Sequence, residues 1–454
     1  MKSFNSKSSI NELLRDIRAG QIKTVILAFP DMQGRWIGKR ATGRHFAQTV
    51  AAHGTHACAY LLTVDMEMDP VPGYALTSWG RGYQDFELVP DPGTVRRLPW
   101  LPETALVVCD LSDMKGAPIP VAPRQILKEQ IARAAAKGFS LKMASELEFY
   151  LFRETFESAQ RKGWHGLELH GSYIEDYHIL QGTREEFLVG EIRNQMEAAG
   201  IPVETSKGEW GPGQHEINLG YSGPLEMADW HTVYKHGAKE IAMQKGVSLT
   251  FMAKYDAKLA GSSCHIHASL WDKTGRTALF WEGGKPSAKF RHFLGGQMAL
   301  AREFSCFFAP TVNSYKRYQS ATFAPTRIAW AGDNRTCGFR VVGAGSSYRI
   351  ENRIPGADAN PYLAFAATIA AGLYGIEHKI EPPAETKGNA YEQNMASVPR
   401  SLHEAVACLE SSKAARKIFG DQVIEHYLLT ARAEQAAFDR AVTCWERERN
   451  FERI

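Results

Sequence analysis

Four short segments place ionisable residues where an ordinary strand would not keep them. Lys142-Met-Ala-Ser-Glu-Leu-Glu-Phe-Tyr-Leu-Phe152 reads as a strand, so Glu146 and Glu148, two residues apart, share one face. In Gly208-Glu-Trp-Gly-Pro-Gly-Gln-His-Glu-Ile-Asn-Leu219 the Gly-Pro-Gly turn brings Glu209 and Glu216 together. Gly261-Ser-Ser-Cys-His-Ile-His-Ala-Ser-Leu270 puts His265 and His267 on one strand face, a common metal-ligand spacing. Tyr348-Arg-Ile-Glu-Asn-Arg-Ile-Pro355 alternates Arg349, Glu351 and Arg353 on another. Asn313-Ser-Tyr-Lys-Arg317 and Asp333-Asn-Arg-Thr-Cys-Gly-Phe-Arg340 add further guanidinium groups. Taken singly, each segment also reads as the solvated face of a sheet.

Together they describe a site. Two carboxylates on one buried face repel unless a cation or a proton intervenes. Five carboxylates with one or two His form an oxygen-rich set that suits Mg²⁺ or Mn²⁺ better than zinc. Acids that hold divalent cations, facing arginines, are the apparatus of phosphoryl transfer. Neither known phosphate loop is present. Gly34-Arg-Trp-Ile-Gly-Lys-Arg40 has the wrong spacing for a Walker A motif and lacks Ser or Thr after Lys39, and Gly343-Ala-Gly-Ser-Ser-Tyr348 fails as GxGxxG at its last position. ATP use therefore requires a different fold.

The elements that must position these residues are legible in outline. Thr24-Val-Ile-Leu-Ala-Phe29 and Ala105-Leu-Val-Val-Cys109 read as strands of a smaller amino-terminal unit. Three prolines in Lys115-Gly-Ala-Pro-Ile-Pro-Val-Ala-Pro123 mark a boundary, giving units over 1–115 and 116–454. Helices fit 124–137, 287–304, 360–378, 401–419 and 421–447, and Thr183-Arg-Glu-Glu186 reads as a capping box opening another that stops near Gly200. The apolar run Pro361-Tyr-Leu-Ala-Phe-Ala-Ala-Thr-Ile-Ala-Ala-Gly-Leu-Tyr-Gly-Ile376 is short for a membrane span and reads as a buried helix. The polar amino-terminal stretch has no apolar core of a secretory signal. Seven scattered Cys without a CxxC pair disfavour a disulfide framework or a Cys-rich zinc site and point to the reducing cytoplasm. The 53 Lys plus Arg nearly balance the 50 Asp plus Glu, so no nucleic-acid surface is expected.

The ordered set of these segments, from Asp31-Met-Gln-Gly34 to the carboxy-terminal helices, resembles the glutamine synthetase family, in particular its bacterial type I branch and the glutamate–amine ligases related to it. The resemblance implies an α+β fold: a small β-grasp-like amino-terminal domain, then a catalytic domain built on a curved antiparallel sheet with outer helices. It implies a homo-oligomer of two stacked hexameric rings, with sites between subunits. It implies ATP as co-substrate and two or more Mg²⁺ or Mn²⁺ per site. Glu148, Glu209 and Glu216 match the first-metal ligands, and Glu146, His265 and Glu351 the second. Glu204, Tyr221, His267, Ser269 and Arg349, with Arg335 and Arg340, fall where the family holds ATP. Gly261, Arg317, Arg335 and Arg353 match the glutamate site, and Arg340 and Arg353, with Glu209 and Glu216, the catalytic set. Tyr391 belongs to a different local motif from a regulatory tyrosine and reads as structural.

Three departures stand out. The family's Asn before the glutamate-loop glycine is Ala260 here. The flap glutamate that encloses ammonium is replaced by Phe323, and the family's FDGSS ammonium segment is absent, with Cys58-Ala-Tyr-Leu-Leu-Thr-Val-Asp-Met-Glu-Met-Asp69 in its region. An anionic pocket has become partly apolar, which favours an organic substituent on the nitrogen. Phe323, Tyr60, Leu62 and Asp65 are therefore the expected amine pocket. The expected reaction joins the γ-carboxyl of L-glutamate to an alkylamine, ethanolamine, polyamine or aniline. Plain glutamine synthetase, a non-catalytic relative, and a metal-dependent hydrolase using His265 and His267 are the competing readings.

Overall fold

In the computed structural model, residues 9–454 are described; the first eight, where the polar amino-terminal stretch begins, lie outside the described residues. Two sheets carry the chain. The first contains β1 (Thr24–Pro30), β2 (Trp36–Thr42), β3 (Thr55–Cys58), β4 (Asp85–Pro90), β5 (Arg96–Arg97) and β6 (Thr104–Ser112). Their order is β2-β1-β6-β4-β3, with β5 added on β6. β1 and β6 run parallel at the centre; Val25, Leu27, Phe29, Ala105 and Val107 are buried on one face, and Ala28, Leu106 and Val108 on the other, as strands covered on both faces require. α1 (Ile10–Arg18) packs beside it, opened by a capping box of Ser9 and Glu12.

The second sheet positions the acids. It contains β7 (Phe139–Phe152), β8 (Val203–Gly208), β9 (Gln214–Leu219), β10 (Ser248–Thr250), β11 (Cys264–Asp272), β12 (Trp330–Gly332), β13 (Phe339–Val342) and β14 (Arg349–Asn352). The order is β12-β13-β14-β11-β7-β9-β8, with β10 on the far end of β7. Every pairing is antiparallel except β12 with β13, a parallel pair at the edge. The architecture is the α+β arrangement expected. Leu147, Phe149, Ile217, Cys264 and Ile266 are buried on one side of the sheet, and the ionisable residues alternate to the other.

Besides α1, the helices of seven or more residues are α2 (Pro123–Ala136), α3 (Ile179–Ala198), α4 (Pro224–Gln244), α5 (Ala288–Ala299), α6 (Pro361–His378), α7 (Leu402–Ser411), α8 (Lys413–Phe419), α9 (Asp421–Arg440) and α10 (Cys444–Asn450). α6 is the apolar run. It lies among α2, α4 and α5 and is buried nearly all round. Gly296 and Gly375 let α5 and α6 touch backbone to backbone, since a Cβ on either would strike the other helix. No helix among the described residues is long and apolar enough to cross a membrane.

Several boundaries differ from expectation. Thr183 is not a cap: α3 begins four residues earlier, and the Thr183 hydroxyl donates to the Ile179 carbonyl inside the helix. The helix expected over 287–304 ends at Ala299, and the one over 421–447 breaks after Arg440. The one over 401–419 is split at Ser412, whose hydroxyl caps α8.

Buried polar contacts fasten the two sheets together. Arg124, 3% exposed, reaches Asp91 at 2.8 Å, Asp110 at 2.6 Å and Asp229 at 3.0 Å. Asn360 donates to the carbonyls of Asp31 and Met32 at 3.1 and 3.0 Å. α9 closes the seam, with the His426 ring 4.6 Å from that of Tyr74 and Thr430 bonded to the Tyr74 hydroxyl.

Candidate active site

Strand register assembles the site. β7 pairs with β9 so that Glu148 lies opposite Glu216, and with β11 so that Glu146 lies opposite His265. β14 then sets Glu351 opposite His267 on one side and Arg340 on the other. Directly opposed residues share a face, so sequence segments far apart become one ionic surface. The β8–β9 hairpin swings Glu209 over it, and Lys207 holds the Glu209 carboxylate by a salt bridge.

One oxygen each from Glu148, Glu209 and Glu216 lies within 4.8 Å of the others. Glu146, Glu216 and His265 form a second such group, so Glu216 belongs to both. Glu351 stands beside the second group, 3.7 Å from His265 Nδ1, and is held there by Arg340 at 2.8 Å and by Arg353. Burial, with Glu209 close by, pushes the Glu148 carboxyl up to about 7, although two contacts from Ser263 oppose the shift. Burial and the charges of Glu209, Glu146 and Glu148 push Glu216 well above the usual carboxylate range. Glu146 behaves oppositely: burial would raise it, but His267 and His265 outweigh burial and draw it far down. Crowded buried acids that resist ionising together are what a site for divalent cations offers when only protein is counted, and the donor set fits Mg²⁺ or Mn²⁺.

His267 is a connector rather than a member of either group. Arg349 Nε donates to its Nδ1 at 3.2 Å, which leaves Nε2 as the donor to Glu146 at 2.8 Å.

These acids form one wall of a cavity of about 1010 Å³. Arg317, Arg335, Arg340 and Arg353 form another. Arg317 is 2% exposed and ties down the carbonyls of Arg353, Ile354 and Pro355, yet its Nε has no partner, and neither does Nε of Arg353. Arg335 is exposed, and its charge helps to lower the pKa of Asp333 nearby. Gly261 lies flush against Arg317; a Cβ there would strike the arginine side chain and the Ala253 carbonyl. The chemistry on offer is binding of divalent cations on the acid wall and of anionic groups on the arginine wall.

The structure divides the other expected residues. Glu204 lines the cavity, whereas Tyr221, His267, Ser269 and Arg349 lie outside its wall. Ser269 accepts from Trp271, and Lys142 lies over the rings of Trp271 and Tyr221. Phe323 lines the cavity, 47% exposed, on a backbone with φ of 58° that a bulky residue rarely adopts. Tyr391 steadies this flap by donating to the Ala324 carbonyl at 3.0 Å. Of the remaining amine-pocket residues, Leu62 is corrected. Leu62 is 0% exposed in the amino-terminal core and has no surface to give a ligand. Tyr60 rests edge-on against Tyr83, and Asp65 folds its own turn by accepting from the amides of Glu67 and Asp69. Neither lines the cavity of its own chain.

Sequence reasoning missed Trp210, whose ring meets Phe323 edge-to-face at 5.9 Å on the cavity wall. It stood between Glu209 and the Gly-Pro-Gly turn, and an aromatic beside a binding turn was the available signal. Tyr177 was also missed; it lines the cavity and covers Lys207 at 4.6 Å. Only folding brings it there.

Residues 120–450 match the family model described as glutamine synthetase, catalytic domain. The chain is 53% identical over 445 residues to the γ-glutamylethanolamide synthetase of Streptomyces coelicolor, with 98% of this chain and 96% of that protein covered. It is 37% identical over 459 residues to a glutamate–isopropylamine ligase of a Pseudomonas species, with both chains covered throughout. A solved ligand-free GmaS structure superposes with a TM-score of 0.85 at 30% identity, covering 98% of this chain and 100% of that one.

Proposed function

Because this chain belongs to the glutamine synthetase family, we propose that it is an ATP-dependent ligase joining the γ-carboxyl of L-glutamate to an organic amine, a small primary amine such as ethanolamine foremost. The observation that carries the choice of amine over ammonium is the Phe323–Trp210 ring pair on a cavity otherwise walled by acids and arginines. Ring faces and edges favour carbon beside a nitrogen, and a ring face attracts an ammonium group by about 0.5–2 kcal/mol.

Glu148, Glu209 and Glu216 would hold one Mg²⁺ or Mn²⁺, and Glu146, His265 and Glu351 a second. Bound there, divalent ions offset the phosphate charge of ATP. The protein's own groups do the rest. Arg317, with Gly261 leaving room beside it, grips glutamate. Its γ-carboxylate attacks the γ-phosphorus of ATP, the bond to the bridging oxygen breaks, and ADP departs. Glu351 fixes Arg340 and Arg353 in place, so their charge meets the phosphoryl group without reorganising. The amine then adds to the carbonyl carbon of γ-glutamyl phosphate, and inorganic phosphate leaves. A primary alkylamine is almost wholly protonated at neutral pH, so a proton must first go to a carboxylate. A carboxylate of the site, among Glu209, Glu216, Asp65 and Glu67, would accept it.

The same reading includes units over 1–115 and 116–454, a cytoplasmic enzyme, and two stacked hexameric rings in which Tyr60 and Asp65 serve a neighbouring subunit's site. The test offers ammonium and a panel of amines with ATP, Mg²⁺ and glutamate, and follows ADP and amide. The reading requires an organic amine to have the highest kcat/KM; ammonium as best substrate would sink it.

A further inference from the structure

A second group of ionisable residues lies behind the catalytic sheet. Glu175 is in the segment entering α3, Glu185 is on the second turn of α3, and His215 is on β9. All three are buried, at 1%, 0% and 2% exposure, and one ligand atom from each lies within 4.8 Å of the others. His215 Nε2 stands 2.7 Å from Glu185 Oε2 without the alignment of a hydrogen bond. His215 Nδ1 is 3.8 Å from Glu175 Oε2. The Gly213 amide and Gln181 lie close enough to Glu175 to draw its pKa down, less than burial and Glu185 raise it, and neither of its oxygens has a well-aligned donor. Outside the trio, His170 Nδ1 contacts the other oxygen of Glu185 at 3.1 Å.

Two carboxylates buried side by side cannot both stay ionised without a cation. The Glu175 carboxyl, in the protein alone, is pushed up to about 9 by burial and by Glu185. A proton shared between the two acids is the alternative, with His170 and His215 holding Glu185 ionised, but it leaves Glu175 with no well-aligned donor from outside the trio. A metal ion satisfies all three at once.

We propose that Glu175, Glu185 and His215 form a closed binding site for one divalent first-row ion, zinc foremost, with His170 orienting the Glu185 carboxylate. One imidazole and two carboxylates are also the donors at Glu146, Glu216 and His265; what sets this group apart is burial, with neither Glu175 nor Glu185 on the cavity wall, which leaves little room for the waters that Mg²⁺ keeps. Carboxylates that ligate an ion are themselves held by hydrogen bonds, as His170 holds Glu185. The site is separate from the catalytic acids, because His215 and Glu216 project from opposite faces of β9. Its three ligands come from three segments, so the ion staples the loop bearing Asp176 and Tyr177 to the sheet and fixes that side of the cavity.

The test is zinc retention after exhaustive dialysis in excess Mg²⁺, counted per chain by mass spectrometry. Because His265 offers zinc a place in the catalytic group, retention is compared in wild type, His265→Ala, Glu175→Gln and Glu185→Gln. One zinc per chain should survive in His265→Ala and be lost from both glutamine variants. A zinc chelator should lower the Tm of His265→Ala by several degrees and leave that of Glu175→Gln unchanged. The two glutamine variants are independent, so failure of one to fold leaves the other to decide. Wild type without retained zinc overturns the proposal. So does zinc that vanishes in His265→Ala and persists in a folded glutamine variant.

Discussion

His215 and Glu216 are adjacent on β9, yet each belongs to a different cluster of buried acids. The cluster around Glu216 opens on a cavity of about 1010 Å³ and faces four arginines, two with an unpartnered Nε. The cluster around His215 is closed, with histidines in place of arginines. Both contain carboxylates that burial holds partly neutral, Glu148 near 7 and Glu175 near 9. The difference lies in what supplies the balancing charge. In the open cluster it can enter and leave with substrate, which is what turnover needs. In the closed one it must be permanent, which serves structure.

This contrast is sharpest where one residue serves two groups of ligands. Glu216→Gln should lower kcat by about a thousandfold or more, since several kcal/mol of charge stabilisation would go with it. The metal-free protein should be no less stable by urea titration, because a crowded carboxylate has been removed. Substantial residual activity would break the division of labour.

The closed cluster should answer the opposite way. Glu185→Ala leaves Glu175 and His215 without their partner and should cost about 3 kcal/mol in stability. Turnover per folded chain should fall by no more than about tenfold, the scale of a supporting contact. Loss of activity with unchanged urea midpoint would mean that the two clusters act as one.

Phe323→Glu places an acid back on the open side. Ammonium use should improve and amine use decline, shifting the ratio of their kcat/KM values by about tenfold, or about 1.4 kcal/mol. An unchanged ratio would remove Phe323 from the amine site.

The last effect lies at the seam, away from both clusters, and near neutral pH it is the smallest. Burial holds His426 neutral, with its pKa lowered from 6.5 to about 3. Below pH 6.5 the unfolded chain takes up a proton that the folded one refuses, so stability falls with pH down to about 3 and is level above 6.5. By pH 5.5 the loss is about 1.4 kcal/mol. The acids with raised values have the opposite slope: Glu148 adds stability below about 4.5 and loses it as pH rises through about 7. His426→Asn should therefore flatten the acid limb of a Tm-against-pH curve and leave the limb above neutrality alone; an unaltered acid limb would assign it elsewhere.

The legible part of this molecule was local and periodic. Glu146 and Glu148 were readable as one face because a strand repeats every two residues, and α6 was readable because its apolar run is continuous. Helix ends were less so: Ser412 and Thr183 look alike as caps, and only packing made one a cap and the other a residue inside α3. Leu62 looked like a pocket wall, but nothing local distinguishes an apolar residue lining a ligand from one filling a core.

The sequence by itself determined the family, the acid and arginine inventory, and the replacement of an acidic flap residue by Phe323, because these are matters of residue type and spacing along a strand. Tertiary structure alone decided that Glu216 serves two ligand groups, that Trp210 meets Phe323, and that Glu175 and Glu185 converge on His215. Those depend on register between strands and on where a stretch of some forty residues, α3 and β8 included, returns to the sheet, and no local pattern encodes a closure of that length.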